Sequence, residues 1–182
     1  SQSVREKISL FTDVDTRAVV PAYTAQSVYE VPLMLEQEGV ADFIAERLEL
    51  DVTGPDLAEW RGLVDKIHQD KTSVKIALVG KYIELEDAYM SVREALRHAA
   101  WSLDHDVEIT WVHAETAQRP EGLAALAGAD GILVPGGFGE RGIEGKIATA
   151  QYAREHHIPY LGLCLGMQVM CIEFARHVLG HG

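Results

Sequence analysis

The chain has 182 residues, 47% of them hydrophobic, and a formal net charge of −12, enough for one ordinary domain or for one domain plus pieces of another. Residues 1–73 hold 7 basic and 14 acidic side chains, and residues 74–182 hold 9 and 14. Neither half offers the basic field of a nucleic-acid or anionic-membrane surface, although a nucleotide pocket, which needs only a few local cations, stays open.

In chain order, residues 3–12 read as a short helix and Val19-Val20 as an extended piece. Residues 31–39 and 41–50 are predicted helices split by Gly39, and residues 57–68 form another that carries Trp60. No strand–helix alternation builds a sheet here. The acidic, polar stretch 51–73, with Gly54-Pro55 ahead of its one short helix, reads as a linker. Residues 1–50 therefore look like the mostly helical tail of another domain.

From residue 74 the pattern changes. Val74-Lys75-Ile76-Ala77-Leu78-Val79-Gly80 is a buried strand, and residues 87–103 place Ala88, Val92, Ala95, Leu96 and Ala99 at helical spacing. Residues 107–112 alternate as a strand, 120–127 form a short helix opened by Pro120, and 131–134 are a strand closed by Pro135-Gly136-Gly137. Residues 143–156 are a helix, 159–163 a strand and 166–179 a helix. This order predicts an α/β fold, a parallel sheet with helices on both faces over 74–182, with any ligand at the strands' carboxyl ends. No signal-peptide pattern opens the sequence, no apolar run approaches membrane-spanning length, and the two cysteines lie seven apart across a helix start. A reducing, cytoplasmic compartment is expected.

The chemistry concentrates at Gly162-Leu163-Cys164-Leu165-Gly166-Met167-Gln168. An apolar strand ends at a cysteine flanked by glycines two residues to either side, then enters a helix, the nucleophile elbow in cysteine form. The thiolate would stand near a helix N-terminus, whose dipole favours the anion. Attack on an amide creates an oxyanion that needs preorganised N–H donors. The amide of Leu165 is one candidate, and the Gly136-Gly137 turn on a neighbouring strand is the other. The loop 137–146 that follows is glycine-rich, and its Arg141 and Lys146 are either cations for phosphates or ordinary surface charges. Gly80-Lys81 fails as a phosphate loop, because Lys75 stands where a glycine is required and Tyr82 replaces the Ser or Thr. None of His68, His98, His105, His113, His156, His157, His177 and His181 sits in a convincing His-x-Glu or His-x-Asp context, so no base for the cysteine is visible. No metal-ligand spacing occurs either.

These residues resemble class I, triad-type glutamine amidotransferases. Within that class, three stretches resemble the CTP synthase family: Val79-Gly80-Lys81-Tyr82-Ile83-Glu84-Leu85 with Asp87-Ala88-Tyr89, Leu133-Val134-Pro135-Gly136-Gly137-Phe138-Gly139 with Arg141-Gly142 and Glu144-Gly145, and the elbow itself. So do Lys7-Ile8, Leu10-Phe11 and Ser27-Val28-Tyr29-Glu30-Val31-Pro32 at the front. The resemblance implies a flavodoxin-like glutaminase domain, coupled to an amidoligase that phosphorylates UTP with ATP and Mg2+. Ammonia from glutamine would then make CTP, with GTP as activator, CTP as feedback inhibitor, no prosthetic group, and a homotetramer in the cytoplasm.

On the same resemblance Cys164 is the nucleophile. Gly137, Leu165, Gly166, Met167 and Gln168 hold glutamine and its oxyanion, and Phe138 and Arg141 belong to a GTP-responsive lid. Lys7 belongs to the UTP/CTP site, and Tyr23, Thr24 and Ala25 fall in an ATP-contacting stretch. Residues 1–50 would be the end of the amidoligase domain, 51–73 the interdomain linker and 74–182 the first part of the glutaminase. The family's phosphate loop and Mg2+ carboxylates are expected before this stretch and its catalytic His and Glu after it, so the 182 residues alone are expected to be inactive. A stand-alone class I glutaminase or related elbow-cysteine hydrolase, and a non-catalytic scaffold fragment, remain the alternatives.

Overall fold

The computed structural model describes residues 2–181. The chain divides into two compact units, Ser1–Gln69 and Asp70–Gly182. The first is helical: α1 (Gln2–Thr12), α2 (Val31–Gln37), α3 (Val40–Arg47) and α4 (Ala58–Ile67), with single 3-10 turns at Thr16–Ala18 and Val28–Glu30. Gly39 takes φ 71° between α2 and α3, a left-handed conformation that glycine adopts without steric cost. Ser27 and Glu30 form a reciprocal capping box that starts the second 3-10 turn. Within the 51–73 stretch, α4 packs into this unit, because the Trp60 indole donates to the Tyr29 carbonyl at 2.7 Å and the two rings lie 6.2 Å apart.

The second unit is built on four parallel strands, β1 (Ser73–Gly80), β2 (Asp106–His113), β3 (Gly131–Val134) and β4 (Tyr160–Gly162), in the order β2-β1-β3-β4. The helices are α5 (Met90–Ser102), α6 (Pro120–Ala124), α7 (Ile143–Glu155) and α8 (Leu165–His177). The expected helix over 87–103 is divided, with a 3-10 turn at Glu86–Tyr89 leading into α5. The division brings the buried Tyr89 hydroxyl back to accept the backbone N–H of Lys81 at 2.9 Å and of Tyr82 at 3.3 Å.

Strand alternation splits the core in two. Ala77, Val79, Val112, Ile132 and Val134 point to one face and meet Ala153 of α7. Leu78 and Leu133 point to the other and meet Tyr89 with Val92 and Leu96 of α5. Helices therefore lie on both faces, as expected, but the second face is covered unevenly. Leu161 on β4 is 54% exposed and Leu163 is 36% exposed, because an open cavity separates them from Val92, Ala95 and Ala99 of α5. A cavity of about 450 Å³ lies there between α5 and the sheet and is lined by Val74, Ile76, Leu96, Leu103 and Val107 among others. It is apolar and sits at the strands' amino-terminal end, remote from the glycine turns.

On the first face, α7 approaches so closely that a Cβ on Gly145 would overlap the Ala114 carbonyl. Both contacting groups are backbone and cannot step aside. Gly145→Ala should therefore destabilise the unit by about 3 kcal/mol. Gly62→Ala in α4, where nothing lies within 4 Å, should stabilise by about 0.5–1 kcal/mol. Urea unfolding of the two variants should give midpoint shifts of opposite sign.

Candidate active site

The order β2-β1-β3-β4 makes β1 and β3 neighbours although β2 intervenes in sequence. The chain reverses its winding direction between them, and the crevice at their carboxyl ends is where such sheets bind ligands. The loop after β1 supplies Lys81 and Tyr82, and the loop after β3 supplies Gly136, Gly137 and Phe138. Across the crevice the Lys81 ammonium donates to the Phe138 carbonyl at 2.9 Å.

Cys164 stands beside this crevice, between β4 and α8. Its backbone is held at φ 54° and ψ −108°, a region that costs a side-chain-bearing residue of order 1–3 kcal/mol. Packing overrules the strain. A Cβ on Gly166 would overlap the Val134 carbonyl, and one on Gly162 would overlap the Gly166 backbone, so only glycines let the turn close. The turn is then tied by Leu163 N–H to Val134 O at 2.9 Å and by Gly166 N–H to Leu163 O at 2.9 Å. The Tyr160 hydroxyl donates to the Gly166 carbonyl at 2.9 Å. Burial pushes this phenol above its ordinary pKa, which keeps it a donor at neutral pH.

The elbow and the glycine turn meet. A Cβ on Gly136 would lie 3.3 Å from Cys164 Cβ and 3.8 Å from its Sγ, and one on Gly137 would lie 4.0 Å from Leu165 Cδ2. Among the described residues, neither the Leu165 nor the Gly137 N–H donates to a backbone carbonyl. Both donors remain open for an oxyanion, whereas Met167 and Gln168 N–H turn back to the Cys164 carbonyl at 3.1 and 3.2 Å. Met167 and Gln168 have exposed side chains on the first turn of α8, and Gly166 is buried.

Phe138 is 90% exposed. Arg141 pairs with Glu115 at 3.2 Å and lies 5.9 Å from the Tyr82 ring centroid, so Arg141, Tyr82 and Lys81 share one rim. Lys146 does not join them at the surface. It is 1% exposed and donates to the Pro135 carbonyl at 3.0 Å, which removes it as a free cation for phosphates. Burial pulls its ammonium below the usual lysine value, the Lys81 charge adds to that, and Cys164 opposes it. Lys7, on α1, and Tyr23 and Thr24, in an irregular segment, are exposed in the first unit, and Ala25 is half-buried there.

The histidines in ion pairs are committed elsewhere: His68 to Glu30, His113 to Glu84 and His177 to Glu173, at 3.0, 3.6 and 3.4 Å. Lys81, Tyr89 and Tyr160 were not apparent as site residues from the sequence. A Gly-Lys pair closing a central strand was the available signal for the first. Both cysteines are free and exposed. Cys171 lies between the apolar Met170 and Ile172, yet its side of α8 faces outward.

With elbow, glycine turn and switch-point crevice in place, the architecture is that of a cysteine amidotransferase. The family model for class-I glutamine amidotransferases matches residues 84–182, and the chain belongs to that family. CTP synthases are among its relatives, and the model of the CTP synthase N-terminus matches residues 1–50. The chain is 62% identical to the CTP synthase of Chloroflexus aurantiacus over 177 residues, 97% of this chain and 32% of that protein. It is 57% identical to that of Dehalococcoides mccartyi over 99% of this chain and 33% of the relative. For Geobacillus kaustophilus the identity is 52%, over 98% and 34%. The chain thus spans about a third of the length of the curated relatives it matches. Among solved structures, the glutaminase domain of Trypanosoma brucei CTPS, with bound acivicin, is 48% identical with a TM-score of 0.55, covering 59% of this chain and 42% of that one. No helix among the described residues is long and apolar enough to cross a membrane.

Exposure alone does not separate the two thiols, so selectivity must come from the elbow. A glutamine-like diazo-ketone should label Cys164 at least about tenfold faster than Cys171, which lies well beyond the first turn of α8 and its dipole. Peptide mapping by mass spectrometry after timed labelling reads the ratio, and equal labelling would remove the elbow's role.

Proposed function

We propose that this chain is the junction and nucleophile-bearing part of a CTP synthase, in which ammonia cut from glutamine at Cys164 aminates UTP. The observation that carries the reading is the strained Cys164 turn packed directly against Gly136. The thiolate adds to the carboxamide carbon of glutamine, and the carbonyl electron pair becomes an oxyanion facing the Leu165 and Gly137 N–H groups. As the adduct collapses, the C–N bond breaks and ammonia departs with a proton from a general acid. Water then cleaves the thioester, releasing glutamate and the thiol. The first turn of α8, with Gly166, Met167 and Gln168, lines the glutamine position. The acid–base histidine and its carboxylate are those that the family resemblance assigns to further sequence.

Phe138 and Arg141 act as the GTP-responsive lid. They follow the oxyanion glycine on the exposed side of the same loop, so nucleotide bound at this rim can set the geometry of the turn. Lys7 contributes to the UTP/CTP site, CTP acting as feedback inhibitor, and Tyr23-Thr24-Ala25 to ATP binding through backbone. Residues 1–50 end the amidoligase, 51–73 connect and 74–182 begin the glutaminase of a cytoplasmic homotetramer. No group of three or more His, Cys, Asp or Glu that could hold a metal ion occurs among the described residues. The carboxylates for the Mg2+ that accompanies ATP in this reading are those that the family resemblance assigns to sequence before this stretch.

In the full-length protein, Cys164→Ser should reduce glutamine-dependent CTP formation by about 10³-fold or more while leaving the reaction fed by ammonium salts intact. Loss of both would point away from a separate glutaminase site. Arg141→Ala should weaken GTP stimulation of the glutamine reaction and spare the ammonia reaction. The 182 residues alone should release no ammonia from glutamine, with or without GTP, because triad members act as a unit. Turnover by them would show that one of the eight histidines serves as base.

A further inference from the structure

Lys146 is a lysine where packing alone would be served by an apolar residue. It is 1% exposed, and taking an ammonium out of water costs several kcal/mol unless the site returns hydrogen bonds. Methionine would fill a similar volume without that cost. What the lysine adds is a charge-assisted hydrogen bond to the Pro135 carbonyl at 3.0 Å. That carbonyl belongs to the same planar peptide as the Gly136 N–H, so the bond fixes the plane immediately before the Gly136–Gly137 peptide, which carries the Gly137 N–H donor. The far end of the turn is held in the same manner, by Lys81 to the Phe138 carbonyl at 2.9 Å. Between the two tethers lie two glycines, whose peptides would otherwise reorient at little cost. The tether is local to the chemistry: a Cβ on Gly137 would lie 3.6 Å from Lys146 Nζ, and one on Gly136 would lie 3.8 Å from Cys164 Sγ.

We propose that Lys146 is a positioning residue for glutamine hydrolysis, its buried ammonium holding the Pro135-Gly136-Gly137 turn in the orientation that presents an N–H to the oxyanion beside Cys164. The proposal rests on the reading of Cys164 as a glutaminase nucleophile. The tether acts on the oxyanion turn and not on substrate binding, so its loss falls on kcat and not on KM.

The test uses the full-length protein and its Lys146→Met variant. Deleting an oxyanion donor outright costs about 10²–10³ in kcat, and a donor left in place but loosened should cost about tenfold, with KM for glutamine within about twofold. Alkylation of Cys164 by iodoacetamide forms an S–C bond and expels iodide without building an oxyanion, so its limiting, pH-independent rate, read where loss of the Lys146 charge no longer alters the thiolate population, should stay within about twofold. Hydrogen exchange at the amides of Gly136, Gly137 and Phe138 should accelerate several-fold. Unchanged kcat with unchanged exchange overturns the proposal. So does alkylation that falls in step with kcat, because the lysine would then support the whole elbow and not the turn. Lys146→Gln keeps an N–H donor without the charge and should show a smaller loss in the same assays. It carries the test if Lys146→Met does not fold. A wild-type protein that releases no ammonia from glutamine overturns the glutaminase reading instead, and the exchange rates then still decide whether Lys146 holds the turn.

Discussion

The contact on which the second unit depends is the approach of one main chain to another at the elbow. The Gly166 α-carbon sits against the Val134 carbonyl so closely that no side chain fits between them. This approach seats the start of α8 on β3, with Cys164 at φ 54° and the first N–H of α8, that of Leu165, without a backbone acceptor among the described residues. It also sets the distance between the cysteine and the Gly136-Gly137 turn, because that turn leaves the same strand two residues after Val134. The strain at Cys164 is tolerated because the flanking core, Val134 and Val169 at 0% exposure, cannot relax around it without opening a void.

Electrostatics is organised against the overall charge. The chain is acidic, with a formal net charge of −12, yet Lys81, Arg141 and Lys146 gather at the carboxyl ends of β1 and β3. Two of these cations are directed at carbonyl groups of one short turn. Behind the site, the buried Glu173 of α8 receives the Arg154 guanidinium of α7 through contacts at 2.7, 3.1 and 3.2 Å. This pair joins the two helices that carry Lys146 and the elbow, and it holds Arg154 above the usual arginine value. Such a buried carboxylate is tolerable only because it is paired in this way.

The alternation of strands and helices over 74–182, and the elbow itself, were legible in the sequence because each rests on local signals: apolar runs, the glycine spacing around Cys164 and the turn Pro135-Gly136-Gly137. What was not legible depends on long-range packing. Lys146 sits in a loop-like, glycine-rich context that reads as surface, and only the fold buries it under Pro135. Cys171 has apolar neighbours on both sides, but a helix separates neighbours in sequence onto different faces, and its own face is outward. The break before α5 follows from the Tyr89 hydroxyl being needed at the end of β1, a demand made by residues seven and eight positions away. The exposure of Leu161 likewise reflects the open cavity between it and α5, which no run of apolar residues encodes.

The pairing of β1 with β3 separates the site from most of the chain that connects its halves. Lys81 and Phe138 touch, yet α5, β2 and α6 lie between them in sequence, and β2 runs along the opposite side of β1. Extra residues in the loop between α5 and β2, or in the one between α6 and β3, would emerge at the amino-terminal edge of the sheet, away from both glycine turns. Lengthening of the connecting chain is thereby uncoupled from the chemistry. The opposite edge has no such latitude, since every residue added after β1, β3 or β4 would enter the crevice.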